Sequence, residues 1–196
     1  MHELAPERLA AFVTVLADRL ASDEELELVL AGDVIDFPAI PECCRFTPNP
    51  ETACGKLERT VRSRRFAPAF RALAAHLAAG HRLTVLLGNH DPELALPQVA
   101  DAFIAALRAR PHDVLMLTDG RAYRTGGVLV EHGNRYDGAN RNDWDGLRTI
   151  ASALSRGEEP PLRLRVSPAA PSSRGSSIRS NPAIPSSTCC TRRASW

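Results

Sequence analysis

Lysine is nearly missing from this chain: Lys56 stands alone among 24 basic residues, and the other 23 are arginine. With heavy use of alanine, that bias reads as GC-rich coding rather than a functional choice. Charge of one sign is missing too, since 24 basic residues meet 23 acidic ones for a net charge of +1. Such a balance sets up no field that would recruit nucleic acid or an anionic membrane. Aromatics make up 5% of the residues and do not interleave with basic ones, which argues against a basic-tailed nucleic-acid binder. No apolar run is long enough to span a bilayer, and the start carries no basic segment followed by an apolar one. A soluble cytoplasmic protein without a transmembrane segment is therefore expected. The five cysteines, Cys43, Cys44, Cys54, Cys189 and Cys190, match neither a zinc spacing nor a secreted disulfide framework. They read as free thiols in a reducing compartment, with a metal or redox role for Cys43, Cys44 and Cys54 as the alternative.

At 196 residues the chain suits one domain with a real core. Acidic residues stop at Glu159. Beyond it lie six arginines and no acid, so residues 1–159 hold 18 basic against 23 acidic groups, a net of −5. Residues 160–196 show no helical or strand period and are expected to be a disordered Arg/Pro/Ser-rich tail. A frameshift product of GC-rich DNA would have this composition; a basic tail that touches anionic partners is the alternative. The expected organisation is a folded domain over 1–159 and that tail over 160–196.

Within 1–159, helical and strand patterns alternate. Residues 6–21 predict an amphipathic helix, with Pro6 in its first turn and Leu9, Phe12, Val13, Leu16 and Leu20 on one stripe. Residues 26–31 predict a strand. The stretch 37–55, punctuated by Pro38, Pro41, Pro48 and Pro50, predicts a long irregular loop that could wall or cover a site. Residues 56–79 return to helix, with Pro68 starting a second segment and Gly80 as the stop. His76 reads as a partly exposed residue of that helix, and His2, His81 and His112 as solvated. Strands are predicted over 83–87, 114–117 and 128–130, the last joined to Tyr123 by a hairpin turning at Thr125-Gly126-Gly127. Helices are predicted over 97–110 and 144–154. This alternation argues for a layered α/β sheet with helices outside.

Three of the strands end alike. Val29-Leu30-Ala31 runs into Gly32-Asp33-Val34-Ile35-Asp36, and Leu86-Leu87 runs into Gly88-Asn89-His90-Asp91. The third, Val128-Leu129-Val130, runs into Glu131-His132-Gly133. Short apolar runs that stop at a turn signal read as buried strands. In open α/β sheets, ligands bind outside the carboxyl ends of the strands. Asp and Asn after a strand are also ordinary turn formers, so each motif is weak alone and the joint pattern carries the signal.

That pattern resembles the calcineurin-like metallophosphoesterases. They carry, in order, D-x-H, G-D-x-x-D, G-N-H-[DE], a lone His and G-H-x-H, and the middle three occur here between Gly32 and Gly133. The run His132-Gly133-Asn134-Arg135-Tyr136-Asp137 is most similar to the branch that includes UDP-2,3-diacylglucosamine hydrolases. The resemblance implies an α/β sandwich of four layers and hydrolysis of a phosphoester or pyrophosphate on a phosphorylated small molecule. It also implies two divalent cations roughly 3.5–4 Å apart, which clamp the phosphoryl group and activate water. By resemblance Asp33 bridges the cations, Asn89 gives its side-chain carbonyl oxygen and His132 a nitrogen. Such a mixed set suits Mn, or Fe, Zn or Ni, better than calcium. His90 would hydrogen-bond the phosphoryl or leaving-group oxygen, with Asp91 fixing its tautomer and raising its basicity. Asp36 is left between a residue behind the ligands and a turn cap, and Asp137 between the same two roles.

Two parts of the family pattern do not appear. No D-x-H precedes Gly32 and no G-H-x-H follows His132. The fold is therefore expected to be incomplete at both ends, with exposed strand edges. Asp33, Asn89 and His132 would then be a partial shell for one cation, and hydrolysis would be impaired. The alternative is a non-catalytic metal- or phosphate-binding remnant, or an interaction module, on the same scaffold.

Overall fold

The computed structural model describes residues 5–19, 25–41 and 46–160. The expectations for His2, Leu20, Cys43, Cys44, Cys189, Cys190 and residues 161–196 lie outside them. Three parallel strands make the main sheet, in the order β1 (Glu27–Ala31), β2 (Arg82–Leu86), β3 (Val114–Leu117). Leu28 pairs with Leu83 and Leu83 with Val114, so alternate residues of all three strands share a face. Leu28, Leu30, Leu83, Val85, Val114 and Met116 face the helical core, where Phe70, Leu73 and Leu77 pack with them. On the other face Thr84 donates to the Glu27 carboxylate at 2.6 Å, and the Tyr123 hydroxyl donates to its two oxygens at 2.6 and 2.7 Å. Tyr123 opens a two-stranded antiparallel ladder, β4 (Tyr123–Thr125) with β5 (Val128–Val130), turned at Gly126-Gly127 as the sequence predicts.

The five α-helices among the described residues are α1 (Ala5–Arg19), α2 (Pro50–Arg62), α3 (Ala67–Ala78), α4 (Pro97–Ala106) and α5 (Trp144–Ser155). α1 lies on α3 and α2 on α4. The predicted α/β class is the observed one. Several local readings need correction. The irregular stretch ends at Asn49 rather than residue 55: the Asn49 side chain accepts the Thr52 N–H at 2.8 Å, and Pro50 starts α2. On α1, Val13 is buried but Phe12 is 54% exposed, so the apolar stripe is narrower than its spacing suggests. His76 is buried instead of partly exposed, and its Nε2–H donates to the Arg82 carbonyl at 2.9 Å. Burial holds its pKa below the usual value, which keeps it neutral. His81 is half-buried rather than fully solvated: its ring lies 4.9 Å from that of His76, and its Nδ1 accepts the Leu26 N–H at 3.3 Å.

Candidate metal centre

β1 and β2 run side by side in the same direction, so their C-terminal ends emerge together. Asp33 and Asn89 come from those two ends. The chain leaves β1 through two left-handed residues, Gly32 at φ +93° and Asp33 at φ +54°. Asp is among the few side chains that tolerate this region, at a cost of roughly 1–3 kcal/mol. Gly32 is needed twice over, since a Cβ there would also meet the His132 ring at 2.4 Å. Gly88 has no room for a side chain: its Cβ would lie 2.1 Å from Asp33 Oδ1. These contacts press the two loops together. The His90 N–H then donates to Asp33 Oδ1 at 2.9 Å, which leaves Oδ2 free to face outward.

His132 reaches the same spot from the end of β5, in the second sheet. Its Nδ1 lies 2.7 Å from the Ala31 carbonyl oxygen. A carbonyl can only accept, so Nδ1 carries the hydrogen, and in the neutral ring Nε2 presents its lone pair. That lone pair faces Asn89 Oδ1 at 3.2 Å and Asp33 Oδ2 at 3.5 Å. Three acceptors thus converge, and they repel unless positive charge sits among them as a proton on Nε2 or a cation. Among the described residues no group of three or more His, Cys, Asp and Glu could hold a metal ion. The convergent set here is one Asp, one His and the amide oxygen of Asn89. Its chemistry fits a divalent cation of intermediate hardness.

The expected pairing of His90 with Asp91 is corrected. Asp36 holds the His90 ring, with Nδ1 at 2.8 Å from its Oδ1. Burial lowers the His90 pKa, but the Asp36 hydrogen bond and the fields of Asp33, Asp36 and Asp91 outweigh that and raise it. Asp91 points inward and is fully buried, accepting the N–H groups of Gly88 at 2.6 Å and Val34 at 2.7 Å. It ties the β1 and β2 loops together from beneath and does not reach the His90 ring. Loss of solvent pushes its pKa up to about 6 against those two bonds. Asp137 is a turn residue, accepting from Ala139 N–H at 2.9 Å and Asn140 Nδ2 at 2.6 Å.

Four supporting residues carry no local sequence signal of their role. The Ala31 carbonyl orients His132 through its backbone alone. Asn142 donates to the Gly88 carbonyl at 2.7 Å from a segment 54 residues away. Lys56 and Glu93 are both fully buried and meet at Thr47, which donates its N–H to Glu93 Oε1 at 2.8 Å and accepts from Lys56 Nζ at 2.9 Å. The one hint was compositional, since a sole lysine in an arginine-rich chain is unusual. Cys54 is half-buried, and its thiol donates to the Gln98 carbonyl at 3.6 Å, so it takes no part in the centre.

A parallel α/β sheet that brings an Asp, an Asn and a His together at its strand ends is an arrangement suited to holding a cation. The family model described as calcineurin-like phosphoesterase matches residues 1–172, and the chain belongs to that family. The family hydrolyses phosphoesters with divalent metal ions and acts on phosphorylated small molecules. The match continues past Glu159. No curated protein and no solved structure matches the chain. Among the described residues no helix is long and apolar enough to cross a membrane.

Proposed function

We propose that this chain hydrolyses a phosphoester with a divalent cation held by Asp33, Asn89 and His132. The observation that carries this is the meeting of Asp33 Oδ2, Asn89 Oδ1 and the His132 Nε2 lone pair within 3.5 Å, with Nδ1 already committed to Ala31. A divalent cation there supplies Lewis acidity toward a phosphoryl oxygen. His90 stands beside the set, and Asp36 favours its protonated form, so it donates a proton or hydrogen bond to the phosphoryl or leaving-group oxygen. Asp91 serves as the internal tie between the loops. Mn is the preferred metal, with Fe, Zn and Ni behind it. The free Cys54 thiol suits a cytoplasmic setting. A second reading, cation or phosphate binding with little turnover, draws on the donor count, because the described residues furnish three protein ligands for one cation and two cations are usual in the family.

The test is turnover of p-nitrophenyl phosphate and bis-p-nitrophenyl phosphate by the full chain in Mn, alongside Asp33→Ala. Loss of turnover by about 100-fold or more is expected, since even residues behind metal ligands cost 10–100-fold. Mn binding read by electron paramagnetic resonance should weaken in parallel. Mn binding without turnover would favour the second reading, and neither binding nor turnover would end both.

A further inference from the structure

A cleft of about 740 Å³ opens beside the centre, lined by the first turn of α5, Asp119 and the segment around Arg141. It shares a wall with the centre, because its lining residue Asn142 holds the Gly88 carbonyl. Its carboxylates are already engaged. Asp119 pairs with Arg121 at 2.7 Å, Asp145 pairs with Arg148, and Asp143 caps α5 by accepting the Gly146 N–H at 3.0 Å. The capped helix end is therefore not what would draw an anion in. Two arginines keep their charge, and so does the Asp143 carboxylate, which the Gly146 N–H orients without cancelling. Arg135 donates to the Gly120 carbonyl, which orients the guanidinium without cancelling it. Arg141 is exposed and has no carboxylate partner among the described residues. A guanidinium fork matches phosphate oxygens, and with Asp119 paired to Arg121 and Asp145 to Arg148 the cleft keeps two guanidinium charges against the one of Asp143, an excess that concentrates anions.

We propose that this cleft, through Arg135 and Arg141, binds a second phosphate group of the substrate. The substrates are then molecules bearing at least one phosphate beyond the one hydrolysed. The proposal rests on the phosphoesterase reading for the word substrate; capture of the anion does not depend on it. Trp144 lines the cleft, and the other tryptophan in the chain, Trp196, can be removed as Trp196→Phe. The metal-free full chain with that change is titrated with inorganic tripolyphosphate while Trp144 emission is read. A saturable change is expected, weakened about tenfold in Arg141→Gln, which corresponds to 1.4 kcal/mol. Arg141→Lys keeps the charge without the fork and should fall between the two. With Mn present, Arg141→Gln should also lower kcat/KM for a sugar bisphosphate more than for p-nitrophenyl phosphate. An absent emission change, the same change with sulfate at matched ionic strength, equal affinity in Arg141→Gln, or equal falls for the two substrates would each overturn the assignment. Failure of all Mn-dependent turnover with Arg141-dependent tripolyphosphate binding intact would instead remove the phosphoesterase reading and leave the anion site standing.

Discussion

His132 can turn a bare nitrogen toward Asp33 and Asn89 only because Ala31 has claimed its other one. Residue-level geometry of this kind makes glycine at position 88 as important as the ligands themselves. A methyl group there would fall 2.1 Å from Asp33 Oδ1 and 2.6 Å from the Asp33 backbone nitrogen. Asp33 is already in a left-handed conformation and has little freedom to retreat. Gly88→Ala should therefore weaken Mn binding at least tenfold, the scale seen when groups supporting a metal ligand are lost. Circular dichroism should show the helices unchanged, which separates displacement of Asp33 from unfolding. A second prediction concerns His90, whose pKa is held up by Asp36 despite partial burial. Asp36→Asn removes the charge that favours the imidazolium, so the ring should titrate at lower pH, as followed by the NMR shift of its ring proton. An unmoved titration would mean that Asp33 and Asp91 set the His90 charge and Asp36 only aims the ring.

Between elements, the Lys56–Thr47–Glu93 network joins the middle of α2 to the segment that follows Gly88-Asn89-His90-Asp91. Burying an ammonium and a carboxyl is costly, and removing one partner leaves the other uncompensated. Lys56→Met should cost about 3–5 kcal/mol, and Lys56→Met combined with Glu93→Leu should recover much of it; both are read by urea denaturation. Burial also pushes the Glu93 carboxyl up to about 7 from an ordinary 4.5. The folded state then holds a proton on Glu93 that the unfolded chain releases between those values. Stability from this group is complete below about 4.5 and declines as pH rises to about 7. Glu93→Gln should flatten that part of the Tm-against-pH curve while keeping the Thr47 bond. The strands that carry the centre were legible in sequence because each is a short apolar run cut by a glycine, and their ends hold the chemistry. The start of α2 was equally open to reading in Asn49-Pro50, yet the proline spacing of the preceding stretch masked it. The burial of His76 and the partner of His90 escape the sequence for a different reason. Their partners, the Arg82 carbonyl and Asp36, are settled by tertiary contact, and chain adjacency favoured Asp91 for a role that falls to a residue 54 positions away.

Taken whole, the molecule assembles its centre from two sheets that are unequally secured. Asp33 and Asn89 stand on β1 and β2, which are paired along their full length and backed by the helical core. His132 stands on β5, in a ladder of two three-residue strands whose Val128 and Leu129 are 59% and 63% exposed. A lone two-stranded hairpin is marginal in water, so its hold on the main sheet matters. Two polar contacts to β1 supply that hold: the Tyr123 hydroxyl on Glu27 at one end, and His132 on the Ala31 carbonyl at the other. Tyr123→Phe deletes the first without touching any group near the cation site. Hydrogen bonds to charged groups contribute about 1.5–3 kcal/mol, enough to raise amide exchange across Tyr123–Val130 by more than tenfold. Mn affinity should fall with it, because His132 would spend less time facing Asp33 and Asn89. Faster hairpin exchange with Mn affinity unchanged would mean that the Ala31 carbonyl alone keeps His132 in place. The centre would then depend on the backbone at the end of β1 rather than on the docking of the second sheet.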